Sequence, residues 1–120
     1  MKYFFDTYAL VEIIKENPNY GRFKGEDITT SILNIGELYY SLLKNFGGEK
    51  AELGRKKFEQ TAFGIDLNDV ISGIKFRYAN MGKNLSYVDC ISYSLARERK
   101  LIFVTGDKDF ENIENVEFVK

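Results

Sequence analysis

Five carboxylates stand apart from the other charges of this chain: Asp6, Glu37, Asp89, Asp107 and Asp109. Asp6 follows the apolar run "KYFF" directly. Asp107 and Asp109 follow "LIFV" after the two-residue step Thr105-Gly106. Glu37 is the only acidic residue between Thr29 and Gly48, and Asp89 is the sole charge in "NLSYVDCISYSLA". Each has an ordinary local explanation. Asp6 reads as a helix cap, Asp107 and Asp109 as turn residues. Glu37 reads as a surface residue paired with Lys44, and Ser86-x-x-Asp89 as a capping box. One arrangement explains all five: convergence at one edge of the fold. Close carboxylates resist joint ionisation, so such a cluster calls for a cation. Oxygen ligands without His or Cys select hard ions, Mg²⁺ or Mn²⁺. Such ions polarise a phosphodiester and activate water, which points to phosphodiester hydrolysis.

Composition narrows the chemistry further. The chain has no histidine. That excludes Ser-His-Asp and Cys-His catalysis, and the usual zinc sites. With 18 acidic and 17 basic residues the net charge is -1, so the chain is no basic nucleic-acid coat. A polyanion must therefore be met by a local patch or through metal ions. The lone Cys90 forms no internal disulfide, which suits a reducing cytoplasm. "MKYFFDTYAL" is no signal peptide, and no segment reaches the roughly 18 apolar residues of a membrane span. The expectation is a cytoplasmic protein without a membrane segment, folded as a single domain over residues 1–120.

The elements that position these acids follow from pattern. "KYFF", "DITTS", "FGIDL", "LIFV" and "VEFV" read as short strands, the last an edge. Helices are expected through "ALVEIIKE", capped by Asp6 or Thr7, and through "SILNIGELYYSLLKNF", closed by Gly47-Gly48. Ile35, Leu38, Tyr39, Leu42 and Phe46 form the buried stripe of the second of these. Glu37 lies opposite that stripe, yet beside Leu33 and Tyr40. The helix is thus apolar nearly all round and is expected to be buried on more than one face. A charged helix covers residues 49–60, another starts at an Asn68 cap and ends at Gly82, and a last one starts at Ser86. Strands alternating with helices predict an α/β fold: a central, mostly parallel twisted sheet with helices on both faces. Ligands of such sheets bind beyond the carboxyl ends of the strands.

The blocks "FFDTYAL", "TTSILNIGELYYSLL" and "LSYVDCISYSLARERKLIFVTGDKDF" resemble PIN-domain nucleases, especially VapC-type toxins of toxin–antitoxin pairs. The likeness spans nearly the whole chain, and T-x-D-x-D-F is its most specific part. The resemblance implies a PIN-like domain acting as a Mg²⁺- or Mn²⁺-dependent endoribonuclease. It implies metal-binding and catalytic roles for Asp6, Glu37, Asp89 and Asp107. Asp109, Thr105, Asn34 and Thr7 would support them. It also implies RNA as substrate, a small antitoxin protein as partner, and a homodimer. Tyr8 departs from the small or polar residue common after D-[ST], and no basic pocket residue is identifiable.

Cations and aromatics for an RNA strand are available in "GRKK", Lys75, Arg77, Lys83 and "RERK", with Tyr39, Tyr40, Tyr78 and Tyr87. Taken singly, each reads more simply as a solvated face or a core aromatic. An aspartyl phosphatase would need a second Asp after Asp6-Thr7, a receiver domain adjacent acids, and an NTPase a glycine loop. The rival reading is a PIN-like interaction or RNA-processing subunit with little catalytic activity.

Overall fold

The computed structural model describes residues 2–120. Three short strands, β1 (Tyr3–Phe5), β4 (Ile102–Thr105) and β5 (Val116–Phe118), form one sheet in the order β1-β4-β5. Two more, β2 (Thr30–Ser31) and β3 (Ala62–Phe63), pair with each other. A parallel bridge between Phe4 and Thr29 sets the second pair against the free edge of β1. Every pairing among the described residues is parallel, which fits the expected α/β class.

Five helices connect the strands: α1 (Thr7–Ile14), α2 (Ile32–Phe46), α3 (Gly48–Phe58), α4 (Leu67–Ala79) and α5 (Tyr87–Glu98). The period of two along each strand splits the core. Phe5 and Val104 point into one apolar cluster with Leu10 of α1, Leu38 and Leu42 of α2, and Phe58 of α3. Phe4 and Phe103 point the other way, against Cys90, Tyr93 and Leu95 of α5. The strands are therefore covered on both faces, which is why they read as near-continuous apolar runs.

Local chemistry sets the boundaries. Gly47 adopts φ 94° and closes α2, while Gly48 opens α3 rather than extending the stop. α4 is capped by Asp66 in a reciprocal box with Asp69, not by Asn68, and it ends at Ala79, short of Gly82. The expected strand in "FGIDL" lies just upstream, at Ala62–Phe63. The "LIFV" strand is shifted one residue, so that Thr105 belongs to it.

α2 is not buried on several faces. Ile32, Tyr40, Leu43 and Phe46 are exposed, and Phe46 leaves the expected core stripe. α4 shows a second open apolar ridge, Leu67, Ile71, Ile74 and Tyr78. Among the described residues, no helix is long and apolar enough to cross a membrane.

The α4–α5 crossing depends on one glycine. A Cβ on Gly73 would stand 2.5 Å from Ile91 Cγ1 and 2.6 Å from its Cα. Backbone cannot swing aside as a side chain does, so Gly73→Ala must push the helices apart. Overpacking costs about 1–3 kcal/mol, and a backbone clash belongs at the upper end. We expect Gly73→Ala to lower the unfolding free energy read from urea titration by that amount, and a value matching the parent would show that the crossing tolerates a methyl group.

Candidate active site

The strand order brings the carboxyl ends of β1 and β4 side by side, through the pairs Tyr3–Ile102, Phe4–Phe103 and Phe5–Val104. Asp6 leaves one strand and Asp107 follows the other. In a parallel sheet this is where a crevice opens, because the chain departs in opposite directions from neighbouring strands.

Asp6 occupies the N-cap position of α1 but makes no side-chain cap bond. Its carboxylate turns inward instead and is only 3% exposed. Oδ2 accepts from the Thr105 hydroxyl at 2.8 Å, and Oδ1 from the Asn34 amide at 3.4 Å. Thr105 Oγ1 in turn accepts the Asp107 backbone N–H at 3.1 Å. Burial pushes the Asp6 carboxyl up to about 7, and the Asp89 charge adds to this. The Thr105 hydroxyl and the Thr7 backbone N–H oppose the rise, while Glu37 adds to it.

Asn34 is the hub on the α2 side and is fully buried. Ser31, the N-cap of α2, donates to Asn34 Oδ1 at 2.6 Å. That fixes the amide with its NH₂ toward Asp6 and toward Thr7 Oγ1, the latter at 3.0 Å. Thr7, already accepting, gives its own proton to Glu37 Oε1 at 2.6 Å. Ser92 of α5 stands 3.0 Å from Asn34 Oδ1 and shares its proton with the Val88 carbonyl at 2.6 Å. One amide thus ties α2, α5 and the end of β1 together. Glu37 is half-buried, and that burial raises its pKa. The Thr7 bond opposes the rise and Asp89 adds to it.

Asp89 serves its capping box after all. Its Oδ2 accepts from the Ser86 N–H at 2.9 Å, and its own N–H donates to Ser86 Oγ at 3.1 Å. Neither bond uses Oδ1, so a cap and a site role coexist. Burial raises its pKa, the Ser86 bonds lower it, and Asp107 and Asp109 raise it. Asp107 caps the short turn Lys108–Phe110 by accepting the Asp109 N–H at 3.0 Å.

The structure therefore brings Asp6, Glu37, Asp89, Asp107, Asp109, Thr7, Asn34 and Thr105 to one edge. The charged groups acting most strongly on Asp6, Glu37 and Asp89 are other carboxylates, with no lysine or arginine among them. Among the described residues, no three His, Cys, Asp or Glu side chains are grouped closely enough to hold a metal ion. The all-oxygen, uncompensated donor set fits a hard divalent cation. Ser31 and Ser92 were not anticipated from sequence. Their signals were the N-cap step before Ile32 and the one-turn spacing from Asp89.

The PIN domain profile matches residues 3–116. The chain belongs to the PIN-domain family. Its fold is also that of VapC20 from Mycobacterium tuberculosis, described as a sarcin-ricin loop cleaving toxin. The TM-score is 0.85 at 16% identity, covering 99% of this chain and 100% of that one. DNA-bound VapBC from Salmonella typhimurium gives 0.75 at 23% identity, over 98% and 96% of the two chains. A toxin–antitoxin complex from Klebsiella pneumoniae gives 0.75 at 18%, over 97% and 96%. No match is found among the curated proteins. The expected PIN fold is thus met.

Proposed function

We propose that this PIN domain is a Mg²⁺- or Mn²⁺-dependent endoribonuclease acting in the cytoplasm, the toxin of a toxin–antitoxin pair. The observation that carries the proposal is the buried Asp6 carboxylate, on which the charges acting most strongly are those of Asp89 and Glu37. Asp6, Glu37, Asp89 and Asp107 would hold the ion, with Asp109 beside them. A bound divalent cation supplies charge stabilisation at the scissile phosphate and makes water more acidic. The chain's own residues do the rest. Thr105 and Asn34 hold Asp6 in one rotamer, and Thr7 holds Glu37. One of the carboxylates takes the proton of the attacking water.

Two exposed apolar faces support protein partners. The ridge on α4 is spaced 4-3-4, symmetric about its midpoint, so an antiparallel copy would set Ile71 opposite Ile74 and Leu67 opposite Tyr78. This favours a homodimer. The α2 face, one turn from Glu37, suits a small antitoxin laid beside the acids.

The test is direct. The purified protein is incubated with end-labelled RNA in Mn²⁺ and in EDTA, and metal uptake is read by calorimetry. Internal cleavage in Mn²⁺ alone is expected. Absence of both cleavage and uptake would refute the nuclease reading.

A further inference from the structure

We infer that Arg77 and Tyr87 form a preorganised clamp for single-stranded RNA at the α4–α5 rim of the acidic site, the guanidinium taking a phosphate and the exposed ring face a base. This rests on the nuclease reading and names how that site grips its substrate.

Position comes first. α5 precedes β4, so its first turn, which carries Asp89, stands at the same edge as the end of β4. Tyr87 opens that turn, two residues from Asp89, and is 57% exposed. Arg77 sits in the last turn of α4, across the connection from α5.

Geometry comes next. The Arg77 guanidinium lies 4.3 Å from the Tyr87 ring centroid, stacked on one face. Its Nε donates to the Leu85 carbonyl at 3.2 Å. That bond uses one of the five guanidinium N–H groups and leaves the terminal nitrogens for another acceptor. Among the described residues, Arg22, Arg55 and Arg97 each pair with a glutamate, whereas Arg77 and Arg99 have no carboxylate partner. Arg99 stands at the opposite end of α5, over Phe63. Arg77 is therefore the unpaired arginine at the acidic edge.

The chemistry of the pair is specific. A guanidinium held by stacking and a backbone bond has already lost the rotamer freedom that binding would otherwise cost. Its free fork matches phosphate bidentately. A base can stack on an aromatic ring only when it is unpaired, which selects a single strand. A cation beside repelling acids also lets a polyanion approach an edge that would otherwise exclude it.

The test is binding of a fluorescein-labelled 12-nucleotide RNA by anisotropy in EDTA, so that no turnover occurs. Tyr87→Leu removes the ring and Tyr87→Phe keeps it. Arg77→Gln removes the charge, and melting curves check folding. We expect the dissociation constant to rise roughly tenfold for Tyr87→Leu, to stay near the parent's for Tyr87→Phe, and to rise about tenfold for Arg77→Gln. The Arg77→Gln salt slope should fall by about one. Mn²⁺ uptake should be unchanged in all three. Parental affinity in Tyr87→Leu and Arg77→Gln would overturn the clamp while leaving metal-dependent cleavage intact, as would a parent that cleaves RNA without measurable binding. A parent that binds RNA through this pair but takes up no Mn²⁺ would instead overturn the nuclease reading alone.

Discussion

Asp6→Asn is expected to abolish RNA cleavage and, at pH 8, to make the metal-free protein more stable. The loss follows from removing the most buried carboxylate of the proposed ion site. A bound metal supplies several kcal/mol of transition-state stabilisation, so activity should fall on the order of 10³-fold or more. The gain follows from the same burial. At pH 8 the parent carries an ionised Asp6 that is 3% exposed and surrounded by acids. Asparagine removes that charge at nearly constant shape. It keeps only one acceptor oxygen, however, so either Thr105 or Asn34 loses its partner. Set against a lost hydrogen bond of about 1 kcal/mol, the net gain is roughly 1–3 kcal/mol. Urea titrations in EDTA at pH 8, beside cleavage assays in Mn²⁺, read both effects. A variant that still cleaves, or is less stable than the parent at pH 8, contradicts this account of the site.

The second large effect concerns pH. Asp6 titrates near 7 in the folded chain against an ordinary 3.8. Between those values the folded state keeps a proton that the unfolded state has lost. The stability of the metal-free protein must therefore fall as pH rises from about 4 to about 7, and level off beyond. The full displacement corresponds to about 4 kcal/mol, with Glu37 and Asp89 moving in the same direction. A divalent ion bound at Asp6 would reverse the trend, since it would need the ionised carboxylate and release the proton. Millimolar Mn²⁺ should raise the melting temperature more at pH 8 than at pH 5, and calorimetry should detect proton release near pH 6. A metal-free protein most stable at pH 8, with a Mn²⁺ shift independent of pH, would contradict the buried-acid reading. Asp6→Asn should flatten most of the slope, which links the two results.

Much of this was legible in the chain, for definable reasons. Asp6 and Asp107 stood out because short apolar runs end at them, and parallel strands present their carboxyl ends together. Glu37 stood out because its helix carries almost no other charge. The local reading of Asp89 as a cap was also right. The structure shows that one oxygen caps while the other stays free, a division that no pattern of letters expresses. Ser31 and Ser92 stayed hidden because their importance lies in the direction of two protons around Asn34, across 58 residues of chain in the second case. Phe46 was misplaced because helical periodicity locates a stripe but does not say where the neighbouring helices stop covering it. Asn68 yielded to Asp66 because two carboxylates bracketing a first turn satisfy it reciprocally, which a single amide does not.

The pairing of β1 with β4 also bears on when this protein can act. The hydroxyl that holds Asp6 lies 99 residues downstream of it. Translation delivers Phe5 early and leaves it without its neighbour until residues 102–105 have emerged. A ribosome-bound chain, or one truncated before Thr105, has Asp6 without Thr105 and Asp107. The acidic edge is therefore assembled last, once the residues of the β4 end have joined those of β1.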